Sequence, residues 1–324
     1  MPDSETRILK DDAAGLELAA ALLRAGQLVA FPTETVYGLG ADATSDRAVA
    51  GIFEAKQRPH FNPLIVHVES VQAALRVADF SDEAERLAGA FWPGALTLVV
   101  PLRAQAGIAP LVTAGLDTVA LRVPAHPVAQ RLLHAFGGPV AAPSANPSGR
   151  ISPTRVVHVL DGLDGRIAAV VDGGDCSVGV ESTIIGLAGG RPRLLRPGGI
   201  PVEAIESCLG RALEIGTEAS PARPDAPGQL DSHYAPRARV RLEVTAPQPD
   251  EIWIGFGPAA SDSALNLSPA GDLVEAASRL FHLLREADAR AGNLGRIAVA
   301  PIPDHGLGRA INDRLRRAAA PRPA

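Results

Sequence analysis

The two lysines of this chain are unusual because arginine supplies nearly all of its positive charge. Lysine and arginine together number 31, and only Lys10 and Lys56 are lysines. Lys56 stands two residues before Arg58 at the end of an amphipathic helical pattern. A lysine carries a compact point charge on a flexible stem, which a planar guanidinium does not. The pair is therefore a candidate contact for a polyphosphate; a solvated pair at a helix C-terminus is the alternative.

Further polar side chains stand beside short apolar runs that predict strands. Ligands of open α/β sheets bind at the carboxyl ends of strands, so these side chains are candidates for one crevice. Each position also has a structural alternative. A Ser, Thr or Asn can form a turn or cap a helix, an arginine can form a surface ion pair, and His67 can be a half-buried strand histidine. The positions are Thr33, Glu34, Thr35, His67, Arg122, Ser144, Asn146, Glu181, Ser182, Thr183 and Arg196.

Several common active-site motifs are absent from the sequence. Neither lysine follows the glycines of a P-loop, and no Gly-x-Ser-x-Gly elbow of a serine hydrolase occurs. The eight histidines lack metal-ligand spacing, and Cys176 and Cys208 form no Cys-x-x-Cys pair. No metal site held by protein ligands and no disulfide framework is predicted.

Composition and charge exclude other classes of protein. A chain of 324 residues predicts two domains or one large one. The net charge of −5 argues against a general nucleic-acid coat, which needs a basic face. The basic stretch 309–322 is interpreted as a solvated helix face. No signal peptide or apolar run of membrane-spanning length is present, so we expect a cytoplasmic protein that does not contact a membrane.

Helical and strand patterns alternate along the chain. This alternation predicts an α/β fold with a twisted, mixed, open sheet and flanking helices. In the helix that Ser45 caps, Lys56 continues the buried stripe of Val49, Ile52 and Phe53, so its head group should emerge at the rim of the core. Helices are predicted at Ala13–Arg24, 45–56, Asp82–Phe91, Val128–Phe136, Leu273–Ala287 and Leu307–Ala318. Strands are predicted at Leu28–Phe31, Pro63–Val68, Leu96–Pro101, Thr118–Val123, Val140–Ala142, Ile167–Val171, Ser182–Gly186, Arg193–Arg196, Arg239–Val244, Ile252–Phe256 and Ile297–Ala300.

The proline content divides the chain into three predicted segments. Residues 1–210 carry the first α/β pattern, and residues 211–238 form a proline-rich linker. Residues 239–324 restart the pattern and predict a smaller α/β domain.

Taken together, the polar segments closely resemble the threonylcarbamoyl-AMP synthase family, which has the YrdC-like fold. The resemblance covers roughly residues 10–205, and its C-terminal features resemble the long form of the family, with a linker and a Rossmann-like second domain. Ala226 and Gln229 depart from the usual linker motif. The matching segments are 31–40, 56–59, 62–67, 92–94, 115–122, 142–146, 179–183, 194–198, 226–229, 233–236 and 306–312.

The resemblance implies a specific reaction. L-Threonine, bicarbonate or CO₂, and ATP give threonylcarbamoyl-adenylate and pyrophosphate, and a separate tRNA threonylcarbamoyltransferase uses the product beside the anticodon. Mg²⁺ is expected with ATP, held mainly by phosphates and water. Such nucleotidyl transfer requires placement and charge neutralisation more than a strong base, which suits this set of residues.

The resemblance also implies roles for individual residues. Lys56 and Arg58 are the expected catalytic cations at the ATP phosphates, and Tyr234 is the expected lid over the nucleotide. The other expected ATP contacts are Asn62, Thr118, Ser144, Asn146, Ser152 and Arg196. The expected threonine contacts are Thr35, His67, Arg122, Ala142 and Ser182.

Two other functions remain open from the sequence. Related modules handle carbamoyl adenylates in hydrogenase maturation, but they belong to much larger chains whose zinc-finger cysteines are missing here. A double-stranded RNA-binding module is the second alternative, and the negative net charge weighs against it.

Overall fold

The structure is a computed structural model, and it describes residues 5–59, 61–215, 233–260, 262–292 and 295–321. The strands are β1 Arg7–Lys10, β2 Val29–Pro32, β3 Tyr37–Asp42, β4 Ile65–His67, β5 Leu96–Pro101, β6 Thr118–Arg122, β7 Val140–Ala141, β8 Ala169–Asp172, β9 Thr183–Gly186, β10 Arg193–Arg196, β11 Glu214–Ile215, β12 Arg239–Arg241, β13 Glu251–Gly255, β14 Leu265–Asn266 and β15 Arg296–Val299. The helices are α1 Ala13–Arg24, α2 Asp46–Lys56, α3 Val71–Val77, α4 Asp82–Phe91, α5 Pro110–Thr113, α6 Pro127–Phe136, α7 Val156–Leu163, α8 Val202–Leu209, α9 Leu273–Ala291 and α10 Gly308–Ala319.

The first eleven strands form one mixed sheet. Their order is β1-β8-β2-β3-β7-β4-β6-β5-β9-β10-β11. Strand β4 lies parallel to β6, whereas β7 is antiparallel to β4. The predicted α/β class with a mixed open sheet is therefore confirmed.

The two faces of this sheet are covered differently because side chains alternate along each strand. Strand β6 shows the pattern: Val119 and Leu121 join the main apolar core with α2 and α4. Ala120 points to the opposite face, where it packs with Ile65 and Ile184. Arg122, the last residue of β6, points to that same opposite face, so its charged side chain lies beside the small apolar cluster of Ala120, Ile65 and Ile184.

The second sheet belongs to the C-terminal part of the chain. Strands β12, β15, β13 and β14 are all parallel, and α9 and α10 pack against them. A parallel sheet with covering helices is the predicted Rossmann-like arrangement, which is confirmed. Among the described residues, no helix combines the length and apolar character needed to cross a bilayer.

Several elements differ from the sequence prediction. Strand β3 was not predicted, because its glycines weaken the strand pattern. A Cβ atom on Gly40 would lie 2.9 Å from the ring of Phe31 on β2, so glycine allows this close pairing. Within the predicted linker, β11 adds a short edge strand beside β10. Residues 216–232 of that linker lie outside the described residues, and the predicted domain boundaries stay a prediction.

Candidate active site

A cavity lies on the sheet face that carries Arg122. It is formed where β3, β4, β6, β7, β9 and β10 begin or end, and His233 and Tyr234 of the predicted linker complete its lining. Its lining residues are Thr33, Thr35, Val36, Gly38, Arg58, Ile65, His67, Arg122, Ala142, Pro143, Ser144, Glu181, Ser182, Arg196, His233 and Tyr234. The structure thus brings together nine of the predicted site residues: Thr35, Arg58, His67, Arg122, Ala142, Ser144, Ser182, Arg196 and Tyr234.

One end of the cavity is organised around Arg122. It is the register partner of His67 at the ends of parallel β6 and β4. Its guanidinium donates to Glu34 Oε1 at 2.6 Å and to Thr35 Oγ1 at 2.9 Å. Its Nε donates to the carbonyl of Gly94 at 3.2 Å. Three of its five N–H groups are therefore committed, and the other two are available for a carboxylate.

The sequence placed Glu34 among the polar residues of the crevice but assigned it no role. Burial alone would raise the pKa of Glu34, but the charge of Arg122 and a hydrogen bond from it lower that pKa below its usual range. The second oxygen of Glu34 accepts from the backbone N–H of Ala125 at 3.0 Å. Glu34 thus fixes the orientation of Arg122.

His67 presents a neutral imidazole to the same end of the cavity. Burial, and then the nearby charge of Arg122, lower the pKa of His67 to about 3. Its Nδ1 is buried and has no hydrogen-bond partner among the described residues. A neutral ring with a free nitrogen can accept or donate one hydrogen bond to a small polar ligand.

The other end of the cavity carries Arg58 and Arg196. Arg58 donates to the carbonyls of Asn62 at 3.3 Å and Pro63 at 2.9 Å, and it forms no ion pair with any described carboxylate. Burial, together with the charge of Arg196, lowers the pKa of Arg58 to about 10. Arg196 donates to the carbonyl of Ser182 at 2.9 Å and to its hydroxyl at 3.1 Å. Two buried guanidinium groups at one wall create an excess of positive charge, which favours an anionic ligand.

Lys56 lies beneath the loop after β7 and does not line the cavity. Its ammonium donates to the carbonyls of Ser144 and Asn146, and only 1% of the residue is exposed. Burial, and then the charge of Arg58, lower the pKa of Lys56 well below its usual range. The head group was expected at the rim of the core. It is instead fully covered, because the loop after β7 supplies carbonyl acceptors that compensate for lost hydration.

Four other predicted residues also lie outside the lining. Ser152 donates to Glu181 Oε1 at 2.6 Å, and the Asn146 amide donates to the carbonyls of Pro147 and Arg150. The buried amide of Asn62 has no partner among the described residues. Thr118 pairs with Pro101 at the opposite end of β6 from Arg122, and four residues of strand span about 13 Å.

Tyr234 covers the cavity and joins the two sheets. The residue has no solvent exposure, and its ring stacks on Phe281 of α9 with centroids 5.5 Å apart. The guanidinium of Arg314 lies 5.2 Å from the same ring. The Tyr234 hydroxyl has no partner among the described residues, and burial raises its pKa to about 12. His233 also lines the cavity and was not predicted as a site residue.

Two further residues of the site are Glu181, which the sequence placed in the crevice without a role, and Arg314, which it did not place there. Arg314 was assigned to a solvated basic face; that interpretation is wrong, because its side chain has no exposed surface and its Nε donates to Glu181 Oε2 at 2.7 Å. Burial alone would raise the pKa of Glu181, but the charges of Arg314 and Arg196 hold it at about 2. Both cavity carboxylates, Glu34 and Glu181, are thus neutralised by arginines. In the part of the chain that the structure describes, no group of three or more His, Cys, Asp or Glu side chains could hold a metal.

The site therefore has two differently equipped ends under one cover. Arg122, Thr35 and neutral His67 suit a small ligand with a carboxylate and further polar groups. Arg58 and Arg196 suit phosphate, and polar loops surround both. Among the described residues that line the cavity, there is no nucleophile–base pair of the hydrolase type. Binding and placement of two ligands side by side is the chemistry that this arrangement supports.

Two protein-family models match the chain, one for each sheet domain. A family model named for Sua5, YciO and YrdC, with the description "Telomere recombination", matches residues 21–198. A second model, described as the C-terminal domain of threonylcarbamoyl-AMP synthase, matches residues 200–320. The fold and cavity are therefore those of a Sua5/YciO/YrdC protein with a second domain.

Individual relatives narrow this class. Threonylcarbamoyl-AMP synthases of Bacillus subtilis and Pyrococcus abyssi are each 42% identical to the chain. Each match covers 94% of this chain. It covers 92% of the Bacillus subtilis protein and 94% of the Pyrococcus abyssi protein. The chain belongs to the threonylcarbamoyl-AMP synthase family, as the resemblance in its motifs indicated.

Two solved structures share the whole architecture. A crystal structure of Pyrococcus abyssi Sua5 complexed with L-threonine has a TM-score of 0.88 and 39% identity, covering 98% of both chains. A variant of the same protein, in which a histidine and the adjacent tyrosine are replaced by alanine, also has a TM-score of 0.88. It is 38% identical over 97% of this chain and 96% of the other.

Proposed function

We propose that this chain is an adenylate-forming nucleotidyltransferase that makes threonylcarbamoyl-AMP. Its substrates are L-threonine, bicarbonate or CO₂, and ATP, and its second product is pyrophosphate. The proposal is supported by one observation above all: Arg122, Arg58, Arg196 and Tyr234 line the same cavity. The family name and the threonine complex of the Pyrococcus abyssi relative support it.

L-Threonine binds at the Arg122 end. The two remaining N–H groups of Arg122 bind the α-carboxylate, while Glu34 holds the guanidinium in place. The neutral imidazole of His67 and the hydroxyls of Thr35 and Ser182 contact the polar groups of threonine, beside the backbone at Ala142. Because His67 carries no charge, it does not repel the positive charges around it.

The chemistry proceeds between the two ends. The neutral threonine amine takes up CO₂, so that a C–N bond forms and one proton leaves, giving a carbamate. A carbamate oxygen then attacks the α-phosphorus of ATP. The bond from that phosphorus to the bridging oxygen breaks, and pyrophosphate departs with the electron pair. Placement of the reacting atoms and neutralisation of charge provide the acceleration.

ATP binds at the Arg58 end under Tyr234. Arg58, Arg196 and the hydroxyl of Ser144 contact the nucleotide directly, since they line the cavity. Lys56 holds the Ser144–Asn146 loop through its carbonyls. The phosphates of bound ATP favour the protonated form of Lys56, which then adds positive charge from beneath. We also propose nucleotide-side roles for Asn62, Thr118, Asn146 and Ser152. The roles of Asn62, Asn146 and Ser152 require local movement, because their side chains lie outside the lining. The role of Thr118 requires the nucleotide to extend toward the opposite end of β6 from Arg122.

Mg²⁺ accompanies ATP in this proposal. It supplies neutralisation of phosphate charge and is held by phosphate oxygens and water. The donor set fits this mode of binding, since Glu34 and Glu181 are already committed to Arg122 and Arg314.

The product passes to a separate tRNA threonylcarbamoyltransferase. The net charge of −5 is consistent with the absence of stable nucleic-acid binding by this chain. The cytoplasmic location expected from the sequence stays a prediction.

An assay of pyrophosphate release tests the proposal. Release should require L-threonine and bicarbonate together and should proceed without tRNA. Release with carbamoyl phosphate and no threonine would instead indicate the carbamoyl-transfer chemistry of the related modules. Binding of double-stranded RNA without any pyrophosphate release would indicate the RNA-binding function.

A further inference from the structure

Arg314 of α10 crosses from the C-terminal sheet domain to the wall of the cavity. Its Nε donates to Glu181 Oε2 at 2.7 Å, and its Nη1 donates to the carbonyl of Pro197 at 2.9 Å. Asp313, its chain neighbour, accepts from Nη1 at 2.6 Å. The side chain is fully buried, so each of these contacts forms where water does not screen it.

Each partner of Arg314 is part of the cavity or borders it. Glu181 lines the cavity and uses its other oxygen to accept from Ser152 at 2.6 Å. Pro197 directly follows Arg196, which lines the phosphate-binding end. The ring of Tyr234, which covers the cavity, lies 5.2 Å from the guanidinium in a cation–π arrangement. One side chain therefore contacts the wall, the turn after β10 and the cover at the same time.

The backbone around these contacts is packed too tightly to absorb a displacement. A Cβ atom on Gly198 would lie 2.3 Å from the carbonyl carbon of Ser182 and 2.4 Å from the carbonyl oxygen of Glu181. The turn at 197–199 thus rests directly on the chain at 181–183. A shift of the turn would move Ser182 and Glu181 with it, because close-packed interiors transmit strain.

We propose that Arg314 is a positioning residue through which the docked C-terminal domain completes the active site. It fixes Glu181, the turn that follows Arg196 and the ring of Tyr234 in the arrangement that binds ATP. This inference rests on the proposed function, since it assigns Arg314 a part in the same reaction. It gives the second domain a role in the chemistry without contact to substrate.

A second arginine of α10 provides the matched control. Arg309 also crosses between the domains, where it pairs with Glu203 at 3.2 Å, but the two side chains are 40% and 48% exposed. Neither residue borders the cavity. Exposed pairs contribute little to stability, so Arg309→Met removes an interdomain contact and leaves the site intact.

The experiment compares adenylate formation by wild type, Arg314→Met and Arg309→Met. We expect kcat/KM for ATP to fall about 100-fold in Arg314→Met, the scale of a small misplacement of reacting groups. Arg309→Met should stay within about threefold of wild type. If kcat/KM for ATP of the Arg314→Met variant stays within threefold of wild type, the inference is overturned. Absence of adenylate from wild type would instead overturn the proposed function.

A pH profile separates positioning from a general loss of structure. The charged and titratable groups that face Glu181 are Arg196 of β10, Arg314 and Asp313 of α10, and His233 and Tyr234 before β12. Without Arg314, burial raises the pKa of Glu181. The variant should therefore gain an acid limb in kcat/KM at higher pH than wild type and recover part of its activity above that limb. A uniform loss at every pH would contradict the inference.

If the Arg314→Met variant does not fold, the Arg314→Lys variant provides the same comparison of kcat/KM for ATP. Lysine retains the charge but cannot reach Glu181 and the carbonyl of Pro197 with a planar fork. We expect this variant to fold, to lose about tenfold in kcat/KM for ATP and to show no new acid limb. Activity equal to wild type in Arg314→Lys would show that positioning by the guanidinium is not required.

Discussion

Replacement of Lys56 by methionine separates the catalytic contribution of this residue from its contribution to stability. Methionine keeps most of the buried aliphatic stem and removes the ammonium that donates to the carbonyls of Ser144 and Asn146. Loss of the two hydrogen bonds to these carbonyls destabilises the fold by about 1–3 kcal/mol. Burial lowers the pKa of Lys56, which means that protonation opposes folding below its ordinary pKa. The variant escapes this opposing cost, so the net loss of stability should be smaller than the loss from the two hydrogen bonds alone.

The catalytic loss should be much larger than the loss of stability. Removing one cation from a transition state with developing negative charge costs about 3–4 kcal/mol, which lowers kcat by 10²–10³. The assay is the initial rate of pyrophosphate release at saturating ATP, threonine and bicarbonate, with urea unfolding measured in parallel. Lys10→Met is the matched control, since Lys10 is the other lysine and is exposed. Retention of more than half the wild-type kcat by Lys56→Met would remove Lys56 from the mechanism.

Three further perturbations test other parts of the site. Arg122→Lys should raise KM for threonine about 10–100-fold and leave KM for ATP within threefold, because lysine loses the fork that Glu34 holds; equal effects on both substrates would refute the separate threonine end. The pKa of His67 is about 3 in the folded chain, so wild type should lose stability as the pH falls below about 6.5. His67→Gln should reduce that slope of unfolding free energy by up to about 1.4 kcal/mol per pH unit, and an unchanged slope would contradict the burial of a neutral ring. Tyr234→Ala should release more AMP per pyrophosphate than Tyr234→Phe, since only phenylalanine keeps the ring stacked on Phe281 and excludes water from the adenylate; equal ratios would show that the ring is not a cover.

Much of the N-terminal site could be predicted because short segments carry it. The end of a strand fixes where the next residues lie, so residues such as His67 and Arg122 could be assigned to one edge of the sheet before any coordinates. Their shared register on β4 and β6 could not be predicted, because pairing of strands distant in sequence depends on the whole sheet.

The position of Arg314 shows what the sequence contained and what it did not. Ile311, Arg314, Leu315 and Ala318 follow the same helical spacing that marked Lys56 as part of a buried stripe, and all four are buried. The periodicity therefore indicated a buried arginine. Its partner Glu181 lies 133 residues earlier in the chain, and no local pattern connects two such residues. The locally basic composition was misleading, because Arg314 is paired in the interior.

The formation of labelled product tests the central claim most directly. Wild type incubated with ATP, L-threonine and ¹³C-bicarbonate should yield a threonylcarbamoyl-adenylate that carries the label, as detected by mass spectrometry. Omission of threonine or ATP should abolish it, and Lys56→Met should reduce its initial rate by 10² or more. Release of pyrophosphate without the labelled adenylate would contradict the account that one cavity joins threonine, CO₂ and ATP.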